Sequence, residues 1–315
     1  YLKMPYKFEW ASKWETFGVK IEGACKDHMS ACGTHDVALQ IVEKIGDGSI
    51  VFFHDQNKEG FAATNGDGTE VLKLRSRAFK QYVAHFVYKN FKRVVSANTL
   101  SDVIQMLEGK AIFDGPKHDL YARVVRQESN VWYDLGDGSA VFINEDGWSI
   151  SETPPILFRR FSHQQLQVRP QTGGNLKDFC SFVNLSTENQ KLLFLVYTVA
   201  AFIPDFPHPI LVLYGPQGAG KSTPQRLLKR LVDPSVIKTL SSPDNIREFV
   251  QLASHHYFLF LDNLSYLRGW LSDSLARACT GDGFTKRELF SDDDDIIYSF
   301  QRTICLNGIN LVISR

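Results

Sequence analysis

The sequence has no excess of charge of either sign. Lys plus Arg and Asp plus Glu number 35 each among 315 residues, so the formal net charge is zero at pH 7 with neutral histidines. A chain without net charge has no global field that would recruit nucleic acid or an anionic membrane. Any site for a polyanion must therefore be a local patch of basic residues.

Cysteines and long apolar runs are also few. Five cysteines are an odd number and too sparse for a disulfide framework, which indicates reduced thiols and a cytoplasmic protein of a bacterium or a phage-infected host cell. The longest apolar run, residues 192–203, has about twelve residues, whereas a membrane-spanning helix needs about 20. We therefore expect no membrane partner. Tyr1 in place of an initiating Met predicts an internal fragment of a longer protein.

An apolar strand pattern, a glycine-rich loop and an amphipathic helix pattern follow one another between Pro209 and Leu228. The loop reads GPQGAGKS and has the complete P-loop form G-x-x-x-x-G-K-[ST]. Its glycines let backbone N–H groups approach phosphates closely, and the helix adds its positive N-terminal end. The pattern predicts a nucleoside triphosphate site rather than a plain glycine turn. The residues expected to bind ATP are Gly215, Gln217, Gly218, Ala219, Gly220, Lys221, Ser222 and Thr223.

Magnesium ligands are predicted at two places. The Ser222 hydroxyl would bind Mg²⁺ while Lys221 reaches the β- and γ-phosphates. The apolar strand pattern from Tyr257 to Leu261 runs into Asp262, and a carboxylate at the end of a strand beside a P-loop strand is where a second Mg²⁺ contact is expected. The alternative for Asp262 is a residue that only caps a turn.

A third buried strand pattern, Thr303 to Leu306, ends at Asn307. An amide at the tip of a core strand is placed to contact the γ-phosphate or the attacking water. The alternative is a turn former beside Gly308 without chemical function. We interpret Asn307 as part of the nucleotide site.

Four residues with metal-ligand chemistry lie near the N-terminus: Cys25, His28, Cys32 and His35. Zinc sites usually separate their two ligand pairs by a dozen residues or so, but only three residues lie between these pairs. A loop without metal is the favoured interpretation, and zinc stays the alternative.

A basic stretch without any acidic residue extends from Lys73 to Arg93. Helical spacing of its apolar residues leaves Lys89, Lys92 and Arg93 largely off the buried face. These residues form either a surface that follows a phosphate backbone or an ordinary solvated helix face.

The linker candidate is residues 170–174, Pro-Gln-Thr-Gly-Gly. We expect an unassigned segment over residues 1–35 and an α+β accessory domain over 36–170. Residues 175–207 are predicted to form two helices, Asn175 to Leu185 and Thr187 to Ile203, the second opened by a Thr187–Gln190 capping box. The P-loop core would cover residues 208–315.

The motifs GPQGAGKST, FLFLDN, CTGDGFTKRELF and TICLNG, in this order, resemble the AAA+ core of superfamily 3 helicases. The likeness is greatest to the helicase half of phage and plasmid primase-helicases, and it covers about residues 175–315. It implies an α/β fold: a P-loop AAA+ core with a parallel sheet, preceded by a helical collar-like segment and an α+β accessory domain. It further implies ATP and Mg²⁺ as cofactors, a homo-oligomeric, hexameric ring on single-stranded DNA, and a primase domain or partner.

By the same resemblance, the residues of catalysis are Lys221, Asp262, Asn263 and Asn307, and Lys286 and Arg287 contact DNA in the pore. Two features depart from the family. Asn263 stands where many AAA+ proteins have a glutamate, and an amide orients water but accepts no proton. The predicted hairpin tip is acidic, so the strand flanks rather than the tip would hold DNA.

Three functions follow as hypotheses. The first is an ATP-dependent DNA helicase or translocase of a phage or mobile-element replication protein. The second is a nucleotide-gated assembly or loading module that binds ATP with little turnover, which Asn263 and the acidic tip favour. The third is a small-molecule phosphotransferase. Family members take an arginine finger from a neighbouring subunit, and Arg315 is a marginal candidate for it.

Overall fold

The structure is a computed structural model that describes residues 35–46, 50–66, 68–216, 218–287 and 295–308. These residues form a mixed α/β fold. The helices are α1 His35–Ile45, α2 Arg77–Phe91, α3 Ala97–Phe113, α4 Glu188–Ala200, α5 Ser222–Val232, α6 Ile246–His255 and α7 Gly269–Thr280, with a 3₁₀ helix at Leu176–Phe182. Among the residues described, no helix has the length and apolarity needed to cross a membrane.

The strands form five small sheets within the described residues. The first half of the chain contributes β1 Ile50–His54, β2 Gly60–Gly66, β3 Gly68–Lys73, β4 Leu120–Tyr121, β5 Val124–Gln127, β6 Asn130–Asp134, β7 Ala140–Asn144, β8 Gly147–Ser151 and β9 Leu157–Phe158. The second half contributes β10 Leu211–Tyr214, β11 Phe258–Leu264, β12 Phe284–Arg287, β13 Asp295–Tyr298 and β14 Thr303–Gly308. The sheet orders are β1-β2-β3, β5-β6-β7-β8, β4-β9, β12-β13 and β10-β14-β11.

The chain divides into two compact units. The first comprises Tyr1–Phe53, Gly60–Ala62 and Lys73–Pro116, and the second comprises His54–Glu59, Ala63–Leu72 and Lys117–Arg315. Residues 117–170 lie in the same unit as the glycine-rich loop. The physical reason is a set of long-range hydrogen bonds onto the end of α5. Tyr133 of β6, for example, donates its hydroxyl to the carbonyl of Val232 over 3.0 Å.

In the first unit, α2 buries one apolar stripe, Phe79, Val83 and Val87. Ser76 caps its N-terminus by accepting from the Phe79 N–H over 3.1 Å. The helix ends at Phe91, two residues before the predicted Arg93, because Lys92 has a left-handed backbone with φ 54°. The side chains of Lys89, Lys92 and Arg93 are exposed, as the helical spacing predicted.

In the second unit, the parallel sheet β10-β14-β11 lies between two apolar layers. Alternate residues of a strand point to opposite faces. On β11, Phe258 and Phe260 join the cluster that holds Phe194 of α4 and Leu228 of α5. Leu259 and Leu261 join the cluster formed with α6 and α7. The strand is buried on both faces, which explains its continuous apolar sequence.

The segment before this sheet matches the prediction in part. The capping box is present: the Thr187 hydroxyl accepts from the Gln190 N–H over 3.2 Å, and the Gln190 side chain accepts from the Thr187 N–H, also over 3.2 Å. The helix it opens, α4, ends at Ala200, three residues before the predicted end. The helix predicted from Asn175 to Leu185 is a shorter 3₁₀ helix, Leu176–Phe182, with no fully buried side chain. Its Phe179 is half-buried and stacks on Phe194 of α4, with ring centres 5.3 Å apart.

Candidate functional site at the carboxyl edge of the parallel sheet

The register of the parallel sheet brings the ends of its three strands to one edge. Leu213 of β10 is paired with Asn307 of β14, and Tyr214 with Gly308. Leu264 of β11 is also paired with Gly308. The glycine-rich loop that follows β10 therefore begins beside Asn307 and the polar end of β11. Crevices at the carboxyl ends of parallel strands are the usual place for ligands in open α/β sheets.

Asn307 joins the polar residues of this edge. Its Nδ2 donates to Asp262 Oδ1 over 2.7 Å and to Gln225 Oε1 over 2.9 Å, and it lies 3.3 Å from Ser222 Oγ. The side chain is only 3% exposed. Ser222 and Asp262, predicted from the loop and from a strand end, thus both lie within hydrogen-bond distance of the Asn307 amide.

The glycine-rich loop has the backbone that its sequence demands. Gly215, Gly218 and Gly220 have φ values of 147°, 82° and 76°. A Cβ at Gly218 or Gly220 would meet no atom within 4 Å, so the requirement there is the left-handed backbone rather than space. The loop is followed at once by α5, with Pro224 in its first turn, where it displaces no helical hydrogen bond.

Lys221 lies at the N-cap of α5 and turns back onto the loop. Its Nζ donates to the carbonyls of Gly215 over 2.8 Å and Pro216 over 2.7 Å. The ammonium group thus already lies beside the loop where phosphates are predicted. Of the other loop residues, Ala219 and Thr223 use their backbone N–H groups within the loop and first helical turn. Gln217 lies outside the described residues.

Asn263 occupies a bulge at the end of β11. The pairing with β14 shifts between Leu261 and Leu264, and Asn263 has a left-handed backbone with φ 56°. Its N–H donates to Asp262 Oδ1 over 2.9 Å, while its side chain is exposed. The structure therefore brings Asp262 to Ser222 and Asn307 and leaves the Asn263 amide facing solvent.

Gln225 is a residue of this site that the sequence reasoning missed. It lies one helical turn after Ser222, on the same face of α5, and is fully buried. Its Oε1 accepts from Asn307, and its Nε2 has no hydrogen-bond partner among the described residues. The spacing of three residues from Ser222 was the available signal, because positions i and i+3 of a helix face the same way.

The C-terminal end of α5 is fixed by a buried ion cluster. Lys229 Nζ donates to Asp233 Oδ2 over 2.7 Å, and Arg123 Nε donates to Asp233 Oδ1 over 3.2 Å. Burial alone would raise the pKa of Asp233, but Lys229 and Arg123 hold it well below its usual range. Burial lowers the pKa of Lys229, which Asp233 opposes. The C-terminal end of α5, the helix that carries Ser222, is thus fixed by the ion pair between Asp233 and Arg123, the residue directly before β5.

The ligand atoms at the edge are oxygens. Ser222 Oγ and Asp262 Oδ1 both lie within 3.3 Å of Asn307 Nδ2. Hydroxyl and carboxylate oxygens fit Mg²⁺, which typically takes one or two protein ligands and completes its shell with phosphates and water. Within the described residues, no group of three or more His, Cys, Asp or Glu forms a site for a metal held by protein alone. Nearby Cys305 is buried, and burial together with Asp262 raises the pKa of its thiol, which makes it inert.

The remaining predicted residues lie elsewhere. Lys286 and Arg287 belong to β12, which pairs antiparallel with β13 as the predicted hairpin requires. The predicted acidic tip runs from Ser291 to Asp295; its residues 291–294 lie outside the described residues, as do Cys25, His28 and Cys32, and Asp295 is the first residue of β13. His35 is the first residue of α1.

The comparison with protein families gives two matches. Residues 176–315 match the model of the actinomycete integrative conjugative element replication protein. Residues 1–105 match the model of class I tRNA synthetases (K). The first match covers the whole candidate site. The second includes residues 1–34, outside the described part of the chain, and none of the site residues.

Solved structures of the NrS-1 C-terminal region share a distant likeness. Two of them, both apo structures, have a TM-score of 0.42 and identities of 10% and 12%, and they cover 86% and 87% of this chain. The chain spans little more than half of theirs, 56% and 57%. No curated protein matches the sequence.

Proposed function

We propose that this chain is the ATP-dependent helicase or translocase module of a phage or mobile-element replication protein. The observation that carries the proposal is the convergence of Ser222, Asp262 and Asn307 beside a glycine-rich loop with Lys221 at its end. The match of residues 176–315 to a replication protein of an integrative conjugative element supports the replication role. The P-loop AAA+ architecture is part of the same proposal.

Each residue has a distinct task in ATP hydrolysis. The loop N–H groups and Lys221 bind the phosphates, for which Lys221 exchanges the Gly215 and Pro216 carbonyls for phosphate oxygens. Ser222 and Asp262 would hold Mg²⁺, which would neutralise the charge that develops on the phosphates. Asn307, whose amide now donates to Asp262 and Gln225, contacts the γ-phosphate or the attacking water by exchanging one of these acceptors, as Lys221 exchanges its carbonyls.

We assign DNA binding to basic residues that lie outside the carboxyl edge of the parallel sheet. Lys286 and Arg287 lie on one strand of the β12-β13 hairpin, the element that the helicase resemblance places in the pore of a hexameric ring. Lys89, Lys92 and Arg93 form a second, exposed basic surface in the first unit. A cytoplasmic location and a primase domain or partner complete the proposal.

A nucleotide-gated assembly module is the second candidate. The specific observation in its favour is Asn263, whose side chain is exposed and lacks a carboxylate. Without a general base after Asp262, ATP would be bound and hydrolysed slowly. Such a protein would use ATP to fix an oligomer or load a partner.

The test is ATP hydrolysis with and without single-stranded DNA, at low salt and matched protein concentration. The helicase proposal predicts turnover that DNA stimulates and that Lys221→Ala abolishes. Lys191→Ala is the matched control, because Lys191 is a lysine of α4 that is paired on the surface with Glu188. Tight ATP binding with ATP-dependent oligomerisation and no DNA-sensitive turnover would favour the assembly module instead.

A further inference from the structure

A cleft of about 640 Å³ opens at the opposite, amino-terminal edge of the parallel sheet. Its lining includes Tyr257, which directly precedes β11, and Arg302, which directly precedes β14. The lining also includes residues 120–122 and 124–126, around β4 and β5, and residues 298–302, from the last residue of β13 to Arg302. All of its lining residues belong to the second unit. Its volume is within the range of about 300–1,000 Å³ that ligand sites occupy.

Arg302 is a charged group of this cleft without a charged partner. Its Nε donates to the carbonyl of Ala253 over 2.6 Å, and one terminal nitrogen donates to the carbonyl of Gln301 over 2.9 Å. No carboxylate of the described residues lies within ion-pair distance of its guanidinium. Burial lowers the pKa of Arg302 to about 10, so it stays charged at neutral pH. Arg302 is half-buried over the Phe300 ring, and Asp233 acts on it only from beyond ion-pair distance. A half-buried cation without a directly paired carboxylate favours an anionic ligand.

Aromatic and basic side chains surround this cation. Tyr121 and Tyr298 are half-buried, and both line the cleft. Arg126 is partly exposed, and its guanidinium lies 3.6 Å from the carboxylate of Asp205. An exposed pair at this distance is weak and exchanges readily for a phosphate. Aromatic rings beside arginines in a groove are the features on which proteins bind single-stranded nucleic acid.

We infer that this cleft binds a segment of single-stranded nucleic acid, with a base stacked on Tyr121 and the phosphate backbone held by Arg302 and Arg126. This inference rests on the proposed function, since it supplies the helicase module with a strand-binding site that the motifs do not reveal. Its residues differ from Lys286 and Arg287 of the hairpin strand β12 and from the basic residues of α2.

The cleft and the candidate nucleotide site lie at the two ends of the same strands. Arg302 precedes β14, whose fifth residue is Asn307, and at about 3.3 Å per residue the two are separated by roughly 17 Å. Tyr257 and Asp262 stand in the same relation on β11. Nucleic acid bound in the cleft therefore contacts the amino-terminal ends of β11 and β14, the two strands that carry Asp262 and Asn307. This is a direct route for DNA-stimulated hydrolysis.

The experiment measures binding of a fluorescently labelled oligothymidylate by anisotropy at two salt concentrations. Tyr121→Ala should raise the dissociation constant at least about fivefold, the loss of one stacked base. Arg126→Ala should raise it and lower the slope of affinity against salt by about one phosphate contact. Arg302→Lys keeps the positive charge but replaces the two terminal guanidinium nitrogens with a single ammonium nitrogen. Because a bidentate contact to phosphate is then lost, this variant should also bind more weakly. The control is Arg247→Ala, an arginine exposed on α6 and outside the lining.

Binding of labelled ATP serves as the check of folding, since all four variants should retain it. If the wild-type chain binds the oligonucleotide tightly and Tyr121→Ala and Arg126→Ala bind it equally well, that result would overturn the cleft as the binding site and leave the proposed function intact. A wild-type chain that binds no oligonucleotide would overturn the proposed function itself. If thymidine monophosphate displaces the labelled oligothymidylate as well as unlabelled oligonucleotide does, the ligand of the cleft is a small nucleotide and the proposal of a nucleic-acid strand is wrong.

Discussion

Asn307 of β14 donates its Nδ2 to Asp262 Oδ1 of the neighbouring strand β11 over 2.7 Å. An ionised carboxylate only accepts hydrogen bonds, so it decides which way the amide faces. The Asn307 nitrogen turns to Asp262, Ser222 and Gln225, and Gln225 must then present its oxygen. One carboxylate thus orders the amides of two further residues at the edge of the sheet.

Replacing Asn307 with alanine should lower kcat for ATP hydrolysis by about 10²-fold, the usual effect of removing one oriented donor from an active site. The dissociation constant for ATP should change little, because the loop and Lys221 provide the phosphate contacts. Steady-state kinetics and nucleotide titration measure the two quantities separately.

Asn184→Ala, at an exposed position before α4, is the control and should behave as wild type. If Asn307→Ala weakens ATP binding and leaves kcat unchanged, Asn307 is a ligand of the ground state and its proposed role in hydrolysis is wrong.

Gln225→Met should lower kcat by a smaller factor, roughly five- to tenfold, since it removes the acceptor that helps to hold the Asn307 amide. Methionine has nearly the same length, and the buried Nε2 that it removes has no partner among the described residues, so little stability is lost.

The sharper measurement is the double variant. If Gln225 acts only through Asn307, then Gln225→Met adds no further loss to Asn307→Ala. Losses of the two single variants that simply multiply would show that Gln225 acts independently, and our assignment of it as a positioning residue would fail.

The sequence was sufficient to predict which strand ends meet. Asp262 and Asn307 each follow a continuous apolar run, and parallel strands buried on both faces bring their carboxyl ends to one edge. The glycine-rich loop had a complete motif with a known backbone requirement, and the glycine φ values match it. Each of these predictions depended on local order along the chain.

What the sequence did not predict depends on contacts between distant segments. Gln225 is recognisable only once α5 is known to turn that face to β14. Arg123 is fully buried in the described fold, and nothing in its local sequence distinguishes it from a surface arginine. The same holds for the cleft, which brings Tyr121 together with Tyr298 and Arg302. Residues 117–170 are likewise joined to the region of the glycine-rich loop by long-range hydrogen bonds, such as the one from Tyr133 to Val232.

Asp233→Asn should reduce the free energy of unfolding by about 3 kcal/mol or more, because it leaves Lys229 and Arg123 buried without their shared anion. Urea denaturation followed by circular dichroism measures the change. Asp273→Asn, on the exposed side of α7, should stay within about 0.5 kcal/mol of wild type. An Asp233 variant as stable as that control would mean that the cluster contributes nothing to holding α5.

The last prediction concerns His256, which is buried next to Lys229 and stacks on His163 with ring centres 4.0 Å apart. Burial, then Lys229 and His163, lowers the pKa of His256 to about 2, from a usual value of 6.5. Its Nδ1 lies 3.4 Å from Lys229 Nζ, a donor, which requires the neutral ring. Below pH 6.5 the unfolded chain therefore binds a proton that the folded chain does not.

Stability should accordingly fall as the pH is lowered from 7 to 5, and His256 alone should account for about 2 kcal/mol of that loss. His256→Gln removes this titration, so its stability should depend less on pH across the same interval, whereas His85→Gln, on the exposed side of α2, should keep the wild-type dependence. The measurement is urea denaturation at pH 7, 6 and 5. Equal pH dependence in all three proteins would show that His256 takes up a proton in the folded state, and the neutral ring beside Lys229 would be wrong.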